Sequence, residues 1–176
     1  IIVSNRLPVN ISVDENGVSV QQSVGGLATG MRSVFKDHPG IWIGWSGIAV
    51  DDTEKAELSE IRELLSKENC IGVDLSSQEI DDYYYGFTNR TIWPLFHYFS
   101  QYTEFDSAQW QTYVDVNRKF AEKVIENTKP GDTIWIHDYH LLLLPRMIRE
   151  SIADVRIGFF LHIPFPSYEI FRTLPW

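Results

Sequence analysis

Three sets of polar side chains follow short apolar runs, and their types suit the holding of a small anionic or hydroxylated ligand. Ile1-Ile2-Val3-Ser4 breaks into Asn5-Arg6-Leu7-Pro8, Thr133-Ile134-Trp135-Ile136 breaks into His137-Asp138-Tyr139-His140, and Ile157-Gly158-Phe159-Phe160-Leu161 runs into His162. Arg6 carries a fixed charge on a planar donor fork that matches phosphate; for a lone arginine a surface or interdomain ion pair is the commoner role. Asp138 can accept hydrogen bonds from sugar hydroxyls, or act as a base if burial raises its pKa. It can equally cap the Leu-rich segment that follows, and both roles are compatible. His162 could bond a ligand hydroxyl or, as is common for a single histidine, a backbone carbonyl. His137, Asp138, His140 and His162 together also permit a metal phosphohydrolase. That reading ranks low, because such sites need further carboxylate and imidazole ligands on a helical scaffold.

Gly25-Gly26, ahead of Leu27-Ala28-Thr29-Gly30, would let backbone N–H groups approach an anion at a helix start. It is neither a dinucleotide fingerprint nor a Walker loop, whose lysine is missing, and a tight turn is an equal alternative. The aromatic stretch from Tyr83-Tyr84-Tyr85 to Trp93-Pro94 offers flat faces and polar tips for a sugar. Packing accounts for most of these rings. Trp42, Trp110 and Trp135 are expected in the core, and Cys70 as a small buried hydrophobe.

The elements that must position these groups follow from periodicity. Residues 9–24 alternate around Asp14-Glu15-Asn16-Gly17 and read as a β-hairpin. Met31, Val34 and Phe35 have helical spacing after the glycines. Ile41 to Trp45 reads as a strand, residues 51–68 as an amphipathic helix, and Cys70 to Leu75 as a strand. Ser76-Ser77-Gln78-Glu79 has the form of a capping box opening a short helix through Tyr85. Ser107 is placed to cap a long helix to Asn127 that buries Trp110, Tyr113, Val114, Asn117, Phe120, Ala121 and Val124. Residues 133–136, 141–152 and 156–162 then give strand, helix and strand. The alternation implies a parallel α/β sheet with helices on both faces. In such a sheet ligands bind beyond the carboxyl ends of the strands, which is where Arg6, Asp138 and His162 fall.

With 176 residues the chain fits one domain. Its 15 basic and 24 acidic residues leave a net charge of −9, which argues against nucleic acid and against an anionic membrane surface. A locally held phosphate is still compatible with that charge. The single cysteine excludes an internal disulfide and a cysteine zinc cluster, and fits a reducing compartment. No apolar run reaches the ~20 residues of a membrane span, and none has the form of a secretory leader. The start at Ile1 within a strand and the end at Trp176 read as an excised domain.

Taken together, the motifs resemble a family. Val3-Ser4-Asn5-Arg6-Leu7-Pro8, Gly25-Gly26-Leu27-Ala28-Thr29-Gly30, Trp42-Ile43-Gly44-Trp45-Ser46-Gly47, Tyr83-Tyr84 through Trp93-Pro94-Leu95-Phe96-His97-Tyr98, Trp135 to Leu141, and Gly158 to Pro166 occur in the order found in trehalose-6-phosphate synthases. These are UDP-forming, retaining glycosyltransferases of the GT-B type. The resemblance implies a Rossmann-like domain, residues 1–176 being the N-terminal, acceptor-side half of a GT-B fold with a hairpin inserted near residues 9–24 and the C-terminal donor domain absent. It implies transfer of glucose from UDP-glucose to glucose 6-phosphate, with no cofactor and no metal. Arg6 and Tyr84 would hold the acceptor phosphate, Trp93 and Asp138 would line the acceptor sugar, and Trp45 would lie near it. Gly25 and Gly26 would approach the donor diphosphate and His162 the donor glucose, with Asp138 and His162 in the catalytic role. The isolated fragment is expected to be inactive. The alternative is a catalytically dead synthase-like module that binds or regulates within a trehalose-synthesis complex; the intact motif residues favour the enzyme. The expected partners are a sugar phosphate and a nucleotide sugar, with no nucleic acid and no membrane; a homo-oligomer or a complex of synthase and phosphatase subunits is left open. The expected location is cytoplasmic.

Overall fold

A computed structural model describes every residue except 16, 24, 25, 27, 28 and 32–39. Seven strands are present among the described residues: β1 (Ile2–Arg6), β2 (Val9–Asp14), β3 (Gly17–Gln22), β4 (Trp42–Ala49), β5 (Cys70–Leu75), β6 (Thr133–His137) and β7 (Arg156–Phe160). Five form one sheet in the order β5-β4-β1-β6-β7, with every pairing parallel. β2 and β3 form a separate antiparallel hairpin, Val9 opposite Gln22 and Asp14 opposite Gly17, as the alternation predicts. The helix expected around Val34 and Phe35 lies outside the described residues.

Parallel strands buried on both faces must be apolar on both phases, and β1 and β4 are. Ile2 and Trp42 point to one side, where they pack with Cys70, with Ile61 and Leu65 of helix α1 (Lys55–Lys67), and with hairpin residues Ile11, Val18 and Val20. Val3 and Ile43 point to the other side, into a larger core with Phe120 and Val124 of α3 (Ser107–Asn127) and Ile148 of α4 (Leu144–Ser151). Helices thus cover both faces, as the strand–helix rhythm requires.

Several local expectations are corrected. The helix capped by Ser76 and Glu79 does not stop at Tyr85. It continues as α2, residues 77–96, whose middle Ile80–Ile92 is π-helical, with the Trp93 N–H bonding Thr88 O five residues back. Asp106, not Ser107, caps α3, accepting from the N–H groups of Ala108 and Gln109. A carboxylate is the better acceptor at a helix start, because it also complements the dipole. Val116 rather than Val114 completes the buried stripe of α3. Trp42 is buried, as expected, but Trp110 and Trp135 are only partly so. The apolar stretch from Leu141 divides into a single turn, Tyr139–Leu141, and the short α4; the final strand ends at Phe160, two residues before His162.

One buried hydroxyl ties the turn after β6 to α3. Tyr113 donates to Tyr139 O at 2.9 Å and accepts from the Leu142 N–H at 3.0 Å. Tyr113→Phe strands both backbone groups, which costs about 1–3 kcal/mol. Urea unfolding of the variant should show a lowered midpoint with an unchanged slope.

Candidate functional site

The strand order reverses once. From β1 the chain runs outward through β4 to β5, then crosses back to place β6 on the other side of β1 and β7 beyond it. A crevice opens at such a reversal, past the carboxyl ends of the two strands that straddle it. The structure has a cavity of about 290 Å³ there, lined by Ser4 to Pro8 after β1 and by His137, Asp138, Tyr139 and His140 after β6. Gly26 and Tyr84 complete its wall. Arg6, Gly26, Tyr84 and Asp138, spread over 132 positions of sequence, therefore meet at one rim. Gly25 lies outside the described residues. Trp45, Trp93 and His162 do not line the cavity but touch residues that do.

Arg6 reaches the rim through a bulge. Val3 pairs with Ile43 and Arg6 with Trp45, so β1 carries one residue more than β4 between the two pairings. Gly44 permits this approach, because a Cβ there would come within 2.9 Å of Ser4 O. Ser4 fixes the bend by donating to Arg6 O at 2.7 Å while accepting from Trp42 Nε1 at 2.7 Å. The Arg6 guanidinium lies 4.8 Å from the centre of the buried Trp45 ring, a cation–π contact. Gly47, at φ +94°, leaves room for it; a Cβ there would collide with the guanidinium. Among the described residues Arg6 has no carboxylate partner.

Tyr84 is placed by its neighbour. Tyr83 is fully buried and donates to Asn5 Oδ1 at 3.0 Å, which locks the π-helix to the end of β1. Tyr84, the next residue, lies against Trp45 at 6.2 Å and stacks on the His140 ring at 5.8 Å and 14°. Asp138 has a φ of 77°, an uncommon backbone state for a non-glycine residue. Its Oδ1 accepts from the Tyr139 N–H at 3.0 Å and the His162 N–H at 3.4 Å. It therefore caps the turn Tyr139–Leu141, as one of the two sequence readings expects, and it also lines the cavity.

Trp93 is 44% exposed, packed on His97 at 4.0 Å and on Tyr139 at 5.8 Å, beside the site rather than in its wall. His162 is exposed, and its Nε2 lies 3.0 Å from His137 Nδ1. Among the described residues no group of three or more His, Cys, Asp or Glu side chains is arranged to hold a metal ion. His140, weighed from sequence only as a metal ligand, instead lines the cavity between the Tyr84 and Tyr139 rings, with no hydrogen-bond partner on either ring nitrogen. Ser4 has no role in the sequence reading, and Asn5 enters it only within the polar set that follows the first strand. Their position in the motif just before Arg6 is the only signal the sequence held for them.

Residues 1–176 match the family model described as glycosyltransferase family 20. The chain belongs to glycosyltransferase family 20. It is 46% identical over 180 residues to an α,α-trehalose-phosphate synthase [UDP-forming] A of Dictyostelium discoideum, a match that covers 99% of this chain and 24% of that protein. A crystal structure of a UDP-forming α,α-trehalose-phosphate synthase from Burkholderia xenovorans superposes with a TM-score of 0.75 at 37% identity, covering 99% of this chain and 34% of that one. A second synthase structure from the same organism, in complex with glucose-6-phosphate, gives a TM-score of 0.74 at 31% identity, covering 99% and 35%. The chain thus spans between about a quarter and two-fifths of the length of the curated relatives it matches. The α/β fold is shared with these synthases, and no helix among the described residues is long and apolar enough to cross a membrane.

Burial holds the two cavity imidazoles neutral. It lowers His140 from an ordinary 6.5 to about 3. It also lowers His137, with a smaller contribution from the neighbouring His162, to about 4. The 4.0 Å approach of His140 Nδ1 to Asp138 Oδ2 is therefore not an ion pair at neutral pH. Above pH 6.5 folded and unfolded chains both hold these rings neutral. As pH falls from 6.5 toward 4 the unfolded chain takes up protons that the folded one refuses, so stability is lost on acidification. By pH 5 the loss is about 2 kcal/mol per ring. Urea midpoints measured from pH 7 to pH 5 should fall, and the fall should be smaller in His140→Phe, which cannot titrate.

Proposed function

We propose that this chain is the acceptor-side domain of an enzyme that transfers glucose from UDP-glucose to glucose 6-phosphate, yielding trehalose 6-phosphate and UDP. The observation that carries the reading is the guanidinium of Arg6, which has no carboxylate partner among the described residues, held over Trp45 and sharing one cavity with Tyr84, Asp138 and His140. A charged fork without a carboxylate suits a phosphate dianion. Carboxylate and neutral imidazole beside it suit sugar hydroxyls, which both donate and accept. The relatives' names supply the substrate: the synthases are UDP-forming, and one was crystallised with glucose-6-phosphate.

In this reading Arg6 and Tyr84 bind the acceptor phosphate, and Asp138 orients the acceptor sugar so that one hydroxyl faces the donor carbon. Trp45 supports Arg6 from behind, and Trp93 closes the side of the acceptor. Gly26 approaches the donor diphosphate; a Cβ at that position would meet nothing within 4 Å, which leaves open space beside the backbone. His162 contacts the donor glucose. No metal or cofactor is needed for a displacement in which the leaving diphosphate is stabilised by fixed cations and backbone N–H groups. Arg6 is the one fixed cation among the described residues lining the cavity, and it is assigned to the acceptor. Among the described residues no second fixed cation lines the cavity to stabilise the leaving group, so the 176-residue chain alone is expected to turn over little or no substrate.

Two measurements test this. Calorimetric titration with glucose 6-phosphate should show binding that Arg6→Ala weakens tenfold or more, as expected for the loss of a charge-assisted contact worth about 1.5–3 kcal/mol. Gly47→Ala, which displaces the guanidinium from Trp45, should weaken it in the same direction. Equal affinity in wild type and Arg6→Ala would remove the phosphate assignment. Incubation of the chain with UDP-glucose and glucose 6-phosphate should release UDP only at background rate; robust release would show that residues 1–176 contain the whole catalytic apparatus.

A further inference from the structure

We propose that His137 is a positioning residue for His162, fixing the exposed ring in the tautomer that carries its proton on Nδ1 and so making that nitrogen an N–H donor beside the residues that line the cavity. The functional meaning rests on the proposed donor-side role of His162; the pairing itself does not. His137 is 1% exposed at the end of β6, and its Nδ1 lies 3.0 Å from His162 Nε2. The two rings are stacked, with centres 5.3 Å apart and planes 24° from parallel. At that separation one proton lies between the two nitrogens.

Which ring supplies it is decided by the other nitrogen of His137. That Nε2 is buried and has no hydrogen-bond partner among the described residues. If His162 donated, neutral His137 would have to carry its own proton on Nε2, a buried N–H with no acceptor. If His137 donates from Nδ1, its Nε2 keeps a bare lone pair. Buried N–H groups without acceptors are rarer than acceptors left short of a donor, so donation from His137 is the arrangement the site favours. His162 Nε2 is then an acceptor, and the proton of its neutral ring must sit on Nδ1.

The rest of the pocket holds this geometry. The Trp135 ring lies 4.8 Å and the Phe160 ring 6.3 Å from His137, and Phe160 is 4.7 Å from His162. The His162 backbone N–H bonds Asp138 Oδ1, which ties the loop after β7 to the residue following His137. In that tautomer Nδ1 of His162 is an N–H donor for a ligand oxygen.

The experiment is two-bond proton–nitrogen correlation NMR on the chain with ¹⁵N-labelled histidine at neutral pH, which separates protonated from bare ring nitrogens and needs no sugar. His162 should show a protonated Nδ1 and a bare Nε2, and His137 a protonated Nδ1. His137→Asn, whose amide N–H falls near the position of Nδ1, should preserve the His162 pattern. His137→Leu should lose the bare Nε2 signal of His162 as that nitrogen becomes protonated. A wild-type His162 protonated on Nε2 overturns the inference, and so does a His162 pattern unchanged in the folded Leu variant. If the Leu variant does not fold, wild type and His137→Asn decide alone: loss of the pattern in Asn is then the overturning result. Failure of glucose 6-phosphate to bind would count against the proposed function while leaving these tautomers in place, so the two failures are separable.

Discussion

The reversal of strand order between β1 and β6 is the constraint from which the site follows. Two parallel strands that feed connections to opposite sides of a sheet leave their carboxyl ends uncovered between them. Backbone groups and side chains there cannot be satisfied by a crossing helix, so they are free to bind. Ser4 to Pro8 and His137 to His140 occupy that gap because their strands do. Arg6 and Asp138 are then neighbours in space for a topological reason, although 132 residues separate them in the chain.

The crevice must also be rigid, and buried polar bonds rather than apolar contact supply much of that. Tyr83 bonds Asn5 from the π-helix. Asn117 of α3 donates to His140 O at 3.1 Å and to Tyr113 O at 2.9 Å, while Tyr113 holds Tyr139 O and the Leu142 N–H. The turn carrying Asp138 and His140 is thereby clamped by α3 from below and by the π-helix from the side. Networks of this kind specify one arrangement, because each unmade bond would leave a buried polar group unpaired. The positive φ of Asp138 persists under such over-determination.

Much of this was legible in the sequence, where local pattern and global fold agree. The apolar stretches within β1, β5 and β6, the hairpin around Asn-Gly and the amphipathic stripe of α3 each follow from period and turn chemistry. The strand-end positions of Arg6 and Asp138 followed from a parallel sheet alone. Other features had no local signature. Nothing in Ile80–Ile92 distinguishes i→i+5 from i→i+4 bonding, so the π-helix was read as a short α-helix. The β1 bulge depends on Gly44 meeting Ser4 across two strands, and the orphaned nitrogens of His140 depend on what does not approach them. Trp110 and Trp135 were assigned inward by size, yet each keeps an edge outside because large rings are seldom wholly covered. The roles of Trp45, Trp93, Gly26 and His162 came from resemblance, and spacing alone would not have named them.

Charge explains how an acidic chain can hold an anion. A net charge of −9 disfavours phosphate at long range, but screening confines that effect to about 10 Å. Inside the crevice the local inventory differs. One guanidinium rests on an aromatic face instead of a carboxylate, and two imidazoles are kept neutral by burial. Had Arg6 been paired with an aspartate, binding an anion would first require breaking that pair. Trp45 attracts the cation without competing for the five N–H donors of its fork, which remain available in a fixed plane. In the proposed reading, keeping His137 and His140 uncharged would leave Arg6 as the one charged partner for a phosphate among the described residues lining the cavity. The proposed acceptor, a phosphorylated hexose, would then meet a single fixed cation for its phosphate and a carboxylate with neutral imidazoles for its hydroxyls within one crevice.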